Sequence, residues 1–159
     1  NRYARYVTEQ APDAAEPGPI VDLSGRYLGQ HNGIVNYTVG QRKGLGLTSP
    51  EPLFVIGIEP ERNVVVVGPD KDLRSRALVA EDLNLVALAE LSGPIRCRAR
   101  IRYRMSEAPA TLEPLPEEGE GVARVVFDEP QRAITPGQSV VLYEDDVVLA
   151  GGIIRRADA

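Results

Sequence analysis

Five arginines recur at every second position between residues 96 and 104, and no other part of the chain has side chains and spacing better suited to chemistry. In a β-strand, side chains alternate between the two faces, so all five would project to one side and form an arginine stripe. At about 3.3 Å per residue, neighbouring guanidinium stems would lie only about 6.6 Å apart and would need counter-charge. The stripe consists of Arg96, Arg98, Arg100, Arg102 and Arg104, and the opposite face carries Cys97, Ala99, Ile101 and Tyr103.

The counter-charge for the arginine stripe has two possible sources. Carboxylates on adjacent strands, for example Glu117 and Glu118 or Asp128 and Glu129, would form cross-strand ion pairs. A phosphate backbone bound from outside would also serve, because the planar donor fork of arginine matches phosphate oxygens. The pattern favours neither source, and arginine is the usual cation of this chain, which has 16 Arg and 2 Lys.

A second basic segment, residues 40–47, is rich in glycine and contains Gln41, Arg42 and Lys43. It is not a Walker phosphate loop, because Gly44 is followed by Leu45 and not by Lys and Ser or Thr, and it lacks the third glycine of a dinucleotide fingerprint. Glycine still allows a basic loop to approach a nucleic-acid backbone closely. A tight turn with solvated side chains is the more common reading of such a segment.

Catalysis and metal binding are disfavoured by residue counts. His31 is the only histidine and Cys97 the only cysteine, so a multi-histidine metal site, a Cys-rich zinc site and an internal disulfide are all excluded. A single cysteine fits a reducing cytosol. Strand alternation places Cys97 in the core, and a lone His31 between glycine-containing segments is usually structural. We therefore expect no catalytic residue and no metal site in this chain.

Short strands and frequent turns must position these side chains, and they predict an all-β chain with little helix. Residues 53–58 and 64–67 are rich in β-branched side chains and flank turn residues, which predicts a hairpin. Residues 139–143 and 147–150, joined by an acidic turn, predict a second one. Further strands are expected at residues 78–86, 95–104, 110–115 and 122–128, and only residues 3–10 look helical.

Length and charge divide the chain into two parts. The 159 residues allow one or two domains, and the polar stretch at residues 69–76 predicts a boundary, giving domains 1–77 and 78–159. Residues 1–78 carry 9 basic and 9 acidic side chains, whereas residues 79–159 carry 9 basic and 14 acidic ones. Global charge therefore argues against a nonspecific nucleic-acid binder. No apolar run could cross a membrane, and a first residue other than Met suggests a fragment of a longer protein.

Six segments, in order and with similar spacing, resemble the central and C-terminal parts of the bacterial tRNA-specific 2-thiouridylase (MnmA/TrmU) family. They are residues 17–22, 28–47, 100–104, 127–130, 133–139 and 151–154. The resemblance implies a small central β-domain followed by a C-terminal β-barrel that binds tRNA. It also implies that the full-length protein is a cytoplasmic enzyme that adenylates the wobble uridine, using ATP and Mg. The enzyme then inserts sulfur from a cysteine persulfide, and a sulfur-relay donor protein supplies that sulfur.

The same resemblance implies roles for individual residues. By motif position, Arg102, Tyr103 and Gln138 are similar to tRNA-contacting residues of the family, and Arg100 and Arg104 flank them. The loop that contains Gln41, Arg42 and Lys43 would contact tRNA or line the active site. The family's ATP site and catalytic cysteines would precede Asn1, so this part should be inactive alone and hold no cofactor of its own.

Two other functions compete with tRNA binding. The barrel could dock a protein partner through its net negative surface, or both domains could merely brace a catalytic domain. Internal pairing of the arginine stripe by carboxylates would favour the bracing role, whereas protein docking predicts little sensitivity to the arginines. Tyr103 provides a second criterion, because tRNA contact requires it to be accessible, whereas strand alternation turns it inward unless the strand ends or twists before it.

Overall fold

The computed structural model of the chain describes residues 12–158, and these residues form an all-β structure. The segment expected to be helical, residues 3–10, lies outside them. The only helical elements among the described residues are five 3-10 turns of three or four residues. Within the same part of the chain, no helix is long and apolar enough to cross a membrane. The predicted fold class is confirmed.

Ten strands are present in residues 12–158. Their bounds are β1 Gly18–Asp22, β2 Tyr27–His31, β3 Phe54–Glu59, β4 Val64–Gly68, β5 Arg74–Leu85, β6 Ile95–Arg100, β7 Ala108–Pro114, β8 Ala123–Arg132, β9 Ser139–Glu144 and β10 Val147–Asp158. The chain divides into two compact units, and it passes from one to the other between Leu73 and Arg74. That point falls in the polar stretch and four residues before the division proposed for domains 1–77 and 78–159.

The first unit is a four-stranded mixed sheet in the order β2-β1-β4-β3. Strands β3 and β4 form the predicted antiparallel hairpin, whereas β1 runs parallel to β4 and antiparallel to β2. The sequence did not indicate β1 and β2, because glycine, proline and polar residues interrupt their apolar pattern. One side of the sheet packs on a core that includes Ile20, Val55, Val65 and Val67, none of which is exposed.

His31 at the end of β2 is completely buried and contacts three other segments of the first unit. Its Nδ1 accepts a hydrogen bond from the Gly33 N–H at 3.1 Å, so its Nε2–H donates to the Asn63 carbonyl at 2.9 Å. Its ring meets Tyr37 edge to face, with centroids 5.7 Å apart. A side chain at Gly18 would place its Cβ 2.7 Å from His31 Nε2, which explains the glycine there. His31 therefore has the structural role expected of it.

The second unit is a closed barrel of six antiparallel strands in the order β10-β5-β8-β7-β6-β9. Strands β9 and β10 form the second predicted hairpin. Phe127, Leu78, Leu112, Leu142 and Ile154 fill the interior and are almost completely buried. Cys97 is buried among them as predicted, and this burial raises the pKa of its thiol despite the nearby charge of Arg96.

One strand prediction was wrong in length. Strand β6 ends at Arg100 and does not continue to residue 104. Its pairing with β9 stops at Arg100 and Val141, after which the chain forms a turn that the Met105 N–H closes by donating to the Arg102 carbonyl at 3.2 Å. Arg102 and Arg104 therefore do not belong to a strand, and the five arginines do not form one continuous stripe.

Candidate nucleic-acid interface

The three arginines that do lie on β6 are paired with carboxylates. Arg96 donates two hydrogen bonds to Asp128, at 2.6 and 2.7 Å. Arg100 forms an ion pair with Glu107 at 2.8 Å, and Arg98 reaches the same carboxylate at 3.7 Å. Internal counter-charge, the first of the two alternatives, therefore accounts for this half of the arginine stripe.

The carboxylates that provide this counter-charge were only partly anticipated. Asp128 was among the expected partners, whereas Glu107, which serves two arginines, was not. Glu118, another of the expected partners, instead accepts hydrogen bonds from Arg156 on β10, one of them at 2.7 Å. Arg100, proposed as a tRNA contact, also lies against the ring of Tyr143, with its guanidinium carbon 5.5 Å from the ring centroid.

The Arg96–Asp128 pair predicts a defined acid sensitivity. Hydrogen bonds from Arg96 hold the pKa of Asp128 below its usual value. The pKa of this carboxyl is lower in the folded chain than in the unfolded chain, where it is about 3.9. The pair therefore stabilises the fold fully at pH values above about 3.9, and the stabilisation is lost as the pH falls through the folded pKa. We expect Asp128→Asn to lower the melting temperature at pH 6 and to have a smaller effect at pH 2. Thermal melts between these pH values test this, and equal effects at both would contradict it.

Residues 101–105, here called the Arg102 turn, present the remaining predicted tRNA contacts to solvent. Tyr103 is 93% exposed, so the accessibility that tRNA contact requires is met. It is accessible because β6 ends before it, which was one of the two explanations considered for the conflict with strand alternation. Arg104 is also exposed and forms no ion pair or hydrogen bond with the rest of the described chain. Arg102 has no carboxylate partner there and donates instead to the Ala133 carbonyl.

Residues 133–138, the Gln138 loop, connect β8 to β9 and are fixed by their backbone. Ala133 is buried in the left-handed region at φ 53°, and its carbonyl also accepts a hydrogen bond from the Thr135 hydroxyl at 3.0 Å. Ile154 of β10 accepts from the Gly137 N–H at 2.8 Å and donates to the Gln138 carbonyl at 2.7 Å. The Gln138 side chain is exposed and makes no hydrogen bond to another described residue.

The Ala133 carbonyl brings the Arg102 turn and the Gln138 loop together. Arg102 of the first segment and Thr135 of the second both donate to it. The topology agrees, because β6 and β9 pair antiparallel up to Arg100 and Val141, and the two segments adjoin these strands at the same end of the barrel. Four of the five proposed tRNA contacts, Arg102, Tyr103, Arg104 and Gln138, therefore share one end of the barrel. Ala133 and Thr135, which join them, were not anticipated as functional residues.

Charge is distributed unequally between the two ends of the barrel. Neighbouring strands are antiparallel, so two connections lie at the same end of the barrel: residues 101–107, which include the Arg102 turn, and residues 133–138. These connections contain 2 Arg and 1 Glu, whereas those at the opposite end, residues 86–94, 115–122 and 145–146, contain 6 acidic and no basic side chains. The acidic side chains of the connections therefore lie mainly at the end of the barrel away from the Arg102 turn.

Gln41, Arg42 and Lys43 belong to the first unit, where they have different environments. The Gln41 side chain accepts a hydrogen bond from the Thr38 N–H at 3.1 Å and donates to the Lys43 carbonyl at 2.9 Å. Arg42 and Lys43 are exposed, and neither has a hydrogen bond or ion pair to any residue within 12–158. Gln41 thus stabilises the turn, while the two cations are available to a ligand.

Comparison with known proteins agrees with the resemblance seen in the sequence. Residues 4–69 match the family described as the tRNA methyl transferase PRC-barrel domain. Residues 75–154 match the family described as the aminomethyltransferase beta-barrel domain.

Curated relatives match over almost the whole chain. The tRNA-specific 2-thiouridylase MnmA of Symbiobacterium thermophilum is 52% identical over 157 residues, which are 99% of this chain and 40% of the relative. The protein of the same name from Moorella thermoacetica is 53% identical over 152 residues, covering 96% of this chain and 42% of the relative. The chain thus spans about two fifths of the length of these relatives. It belongs to the tRNA-specific 2-thiouridylase family.

Proposed function

We propose that this chain binds and positions tRNA for an enzyme that makes 2-thiouridine at the wobble position. The observation that carries the proposal is the pairing of the Arg102 turn with the Gln138 loop through the Ala133 carbonyl. It supports an RNA-binding role because it groups exposed cationic, aromatic and amide side chains on a fixed backbone. Such side chains contact phosphate, stack on bases and hydrogen-bond to base edges, respectively.

Each side chain has a distinct proposed role. Arg104, which has no carboxylate partner among residues 12–158, neutralises a backbone phosphate. Arg102 contributes a second phosphate contact through the guanidinium N–H groups not directed at Ala133. Tyr103 stacks on an unpaired base or donates its hydroxyl, and Gln138 hydrogen-bonds to phosphate, sugar or base. Arg100 contributes least, because Glu107 already neutralises it.

The sulfur chemistry itself is assigned to residues outside this chain. Within residues 12–158, no three His, Cys, Asp or Glu side chains are grouped so that they could hold a metal ion. Cys97 is buried in the barrel core and unsuited to carrying a persulfide. We propose that the full-length protein uses ATP and a persulfide from a sulfur-relay donor, and that it acts in the cytoplasm.

Salt-dependent tRNA binding by the 159-residue chain tests this proposal. If Arg102, Arg104 and one further cation contact phosphates in single-stranded regions, the logarithm of the association constant should fall with the logarithm of salt concentration with a slope of roughly −2. The slope is measured by fluorescence anisotropy with a wobble-uridine tRNA at salt concentrations from about 50 to about 200 mM. A chain that does not bind would refute tRNA binding by this part, and binding without salt dependence would refute the proposed phosphate contacts.

A protein-docking role is the second candidate, and the acidic end of the barrel favours it. Its three connections contain 6 carboxylates and no basic residue. This candidate predicts that tRNA affinity is absent or insensitive to Arg102 and Arg104. The same titration therefore distinguishes the two functions.

A further inference from the structure

Residues 42–47 of the first unit present a run of unpaired backbone donors. None of the six N–H groups from Arg42 to Leu47 donates a hydrogen bond to another group in residues 12–158. Backbone N–H groups that have no partner in the protein are paired with water or with a ligand. Arg42, Lys43, Gly44 and Gly46 are exposed, so their donors are accessible to a ligand.

Contacts at its beginning and in its middle nevertheless hold the segment in position. Its beginning is tied to β3, since the Gly40 N–H donates to the Val55 carbonyl at 2.8 Å and the Val55 N–H donates to the Gln41 carbonyl at 2.9 Å. The Gln41 side chain spans the turn from Thr38 to Lys43. Leu45, only 6% exposed, anchors the middle of the segment in the core.

The glycines give this segment its backbone shape. Gly44 and Gly46 have φ values of 77° and 66°, in the left-handed region that other residues rarely adopt. A Cβ on Gly46 would meet no atom within 4 Å, so lack of space does not explain the glycine there. Where a left-handed residue follows a right-handed one, successive N–H groups turn toward the same side and form a concave anion site known as a nest. Gly44 and Gly46 supply the left-handed positions that such a site requires.

The charge around the segment is positive. Arg42 and Lys43 are exposed and unpaired within the described chain, and residues 40–47 contain no carboxylate. A groove of about 240 Å³ adjoins them, and Arg42 and Glu51 are the two charged residues of its lining. Glu51 is the single carboxylate of that lining, so the Arg42 side of the groove is the side that suits an anion.

We propose that residues 42–47 form a phosphate-binding site, in which Arg42 and Lys43 supply charge and the backbone N–H groups supply directed donors. The ligand is a phosphate group, either in an RNA backbone or in a free nucleotide or pyrophosphate. The RNA source rests on the proposed function and adds a contact in a different unit from the Arg102 turn. The free source does not depend on tRNA binding.

Amide chemical shifts test the site directly. The ¹⁵N-labelled chain is titrated in two separate arms, with pyrophosphate and with an anticodon stem-loop RNA. We expect saturable shifts of the amides of residues 42–47 in at least one arm, and an affinity about tenfold lower for the double variant Arg42→Ala/Lys43→Ala. The matched control is Arg26→Ala/Arg62→Ala, which removes the same charge from exposed arginines of the same unit that are paired with Asp22 and Glu59; it should change affinity less than twofold.

The two arms separate this site from the proposed function. Shifts with pyrophosphate assign the site to free phosphate compounds even if the chain does not bind RNA. Shifts with RNA alone assign it to the RNA backbone. If RNA shifts Tyr103 and Gln138 while residues 42–47 stay unchanged in both arms, the phosphate site is refuted and tRNA binding by the barrel stands. Equal loss of affinity in the control variant would also refute the site.

Discussion

The double variant Arg102→Ala/Arg104→Ala is expected to bind tRNA about tenfold more weakly than the parent chain at low salt, and its salt slope should be shallower by roughly 1.4. The slope changes because each phosphate contact on a single strand contributes about 0.7 to it. Both guanidinium groups lie in the Arg102 turn, and neither is neutralised by a carboxylate in the described chain. Anisotropy titrations at several salt concentrations measure both quantities.

A matched variant controls for net charge. Arg96→Ala/Arg98→Ala removes two positive charges from the preceding strand of the same barrel, but these arginines are already paired with Asp128 and Glu107. We expect its affinity to fall less than about threefold and its slope to stay close to that of the parent chain, because exposed ion-paired cations contribute little to phosphate neutralisation. If both double variants lose the same affinity, tRNA binding follows the total charge and not the Arg102 turn.

His31→Ala is expected to lower the free energy of unfolding of the first unit by about 3 kcal/mol. The substitution leaves the Gly33 N–H and the Asn63 carbonyl without their partners and removes a fully buried ring. Urea denaturation, followed by the NMR amide signals of β2, measures the change. The barrel should unfold as in the parent chain, since His31 belongs to the other unit.

Gln30→Ala is the matched control for His31. Gln30 is the neighbouring residue of the same strand and its side chain is exposed, so its replacement should change the unfolding free energy by less than about 0.5 kcal/mol. A first unit that tolerates His31→Ala as well as Gln30→Ala would show that the two buried hydrogen bonds do not contribute measurably. That result would contradict the structural role assigned to His31.

Local pattern was sufficient to predict those parts of the fold that depend on neighbouring residues. The hairpins β3–β4 and β9–β10 follow from β-branched runs around turn residues, and both are present. Alternation also placed Cys97 and Ala99 in the core correctly. It did not predict where β6 ends, because that point depends on how far β9 extends alongside it.

The candidate site was predictable only in part for a related reason. The resemblance pointed to Arg102, Tyr103 and Gln138, and alternation alone would have buried Tyr103, which is exposed. No local pattern indicated that Ala133 accepts a hydrogen bond from a guanidinium 31 positions earlier in the chain. Contacts between segments so far apart in sequence depend on the closure of the barrel and appear only in three dimensions.

The separation of charge between the ends of the barrel has a kinetic consequence. With basic side chains in the connections at one end and only carboxylates in those at the other, the barrel is an electric dipole. A polyanion repels the carboxylate end and attracts the arginine end, so the field rotates the barrel before contact and increases the fraction of productive encounters. If RNA binds at the Arg102 turn, carboxylates that never touch it therefore help to orient the barrel during the encounter.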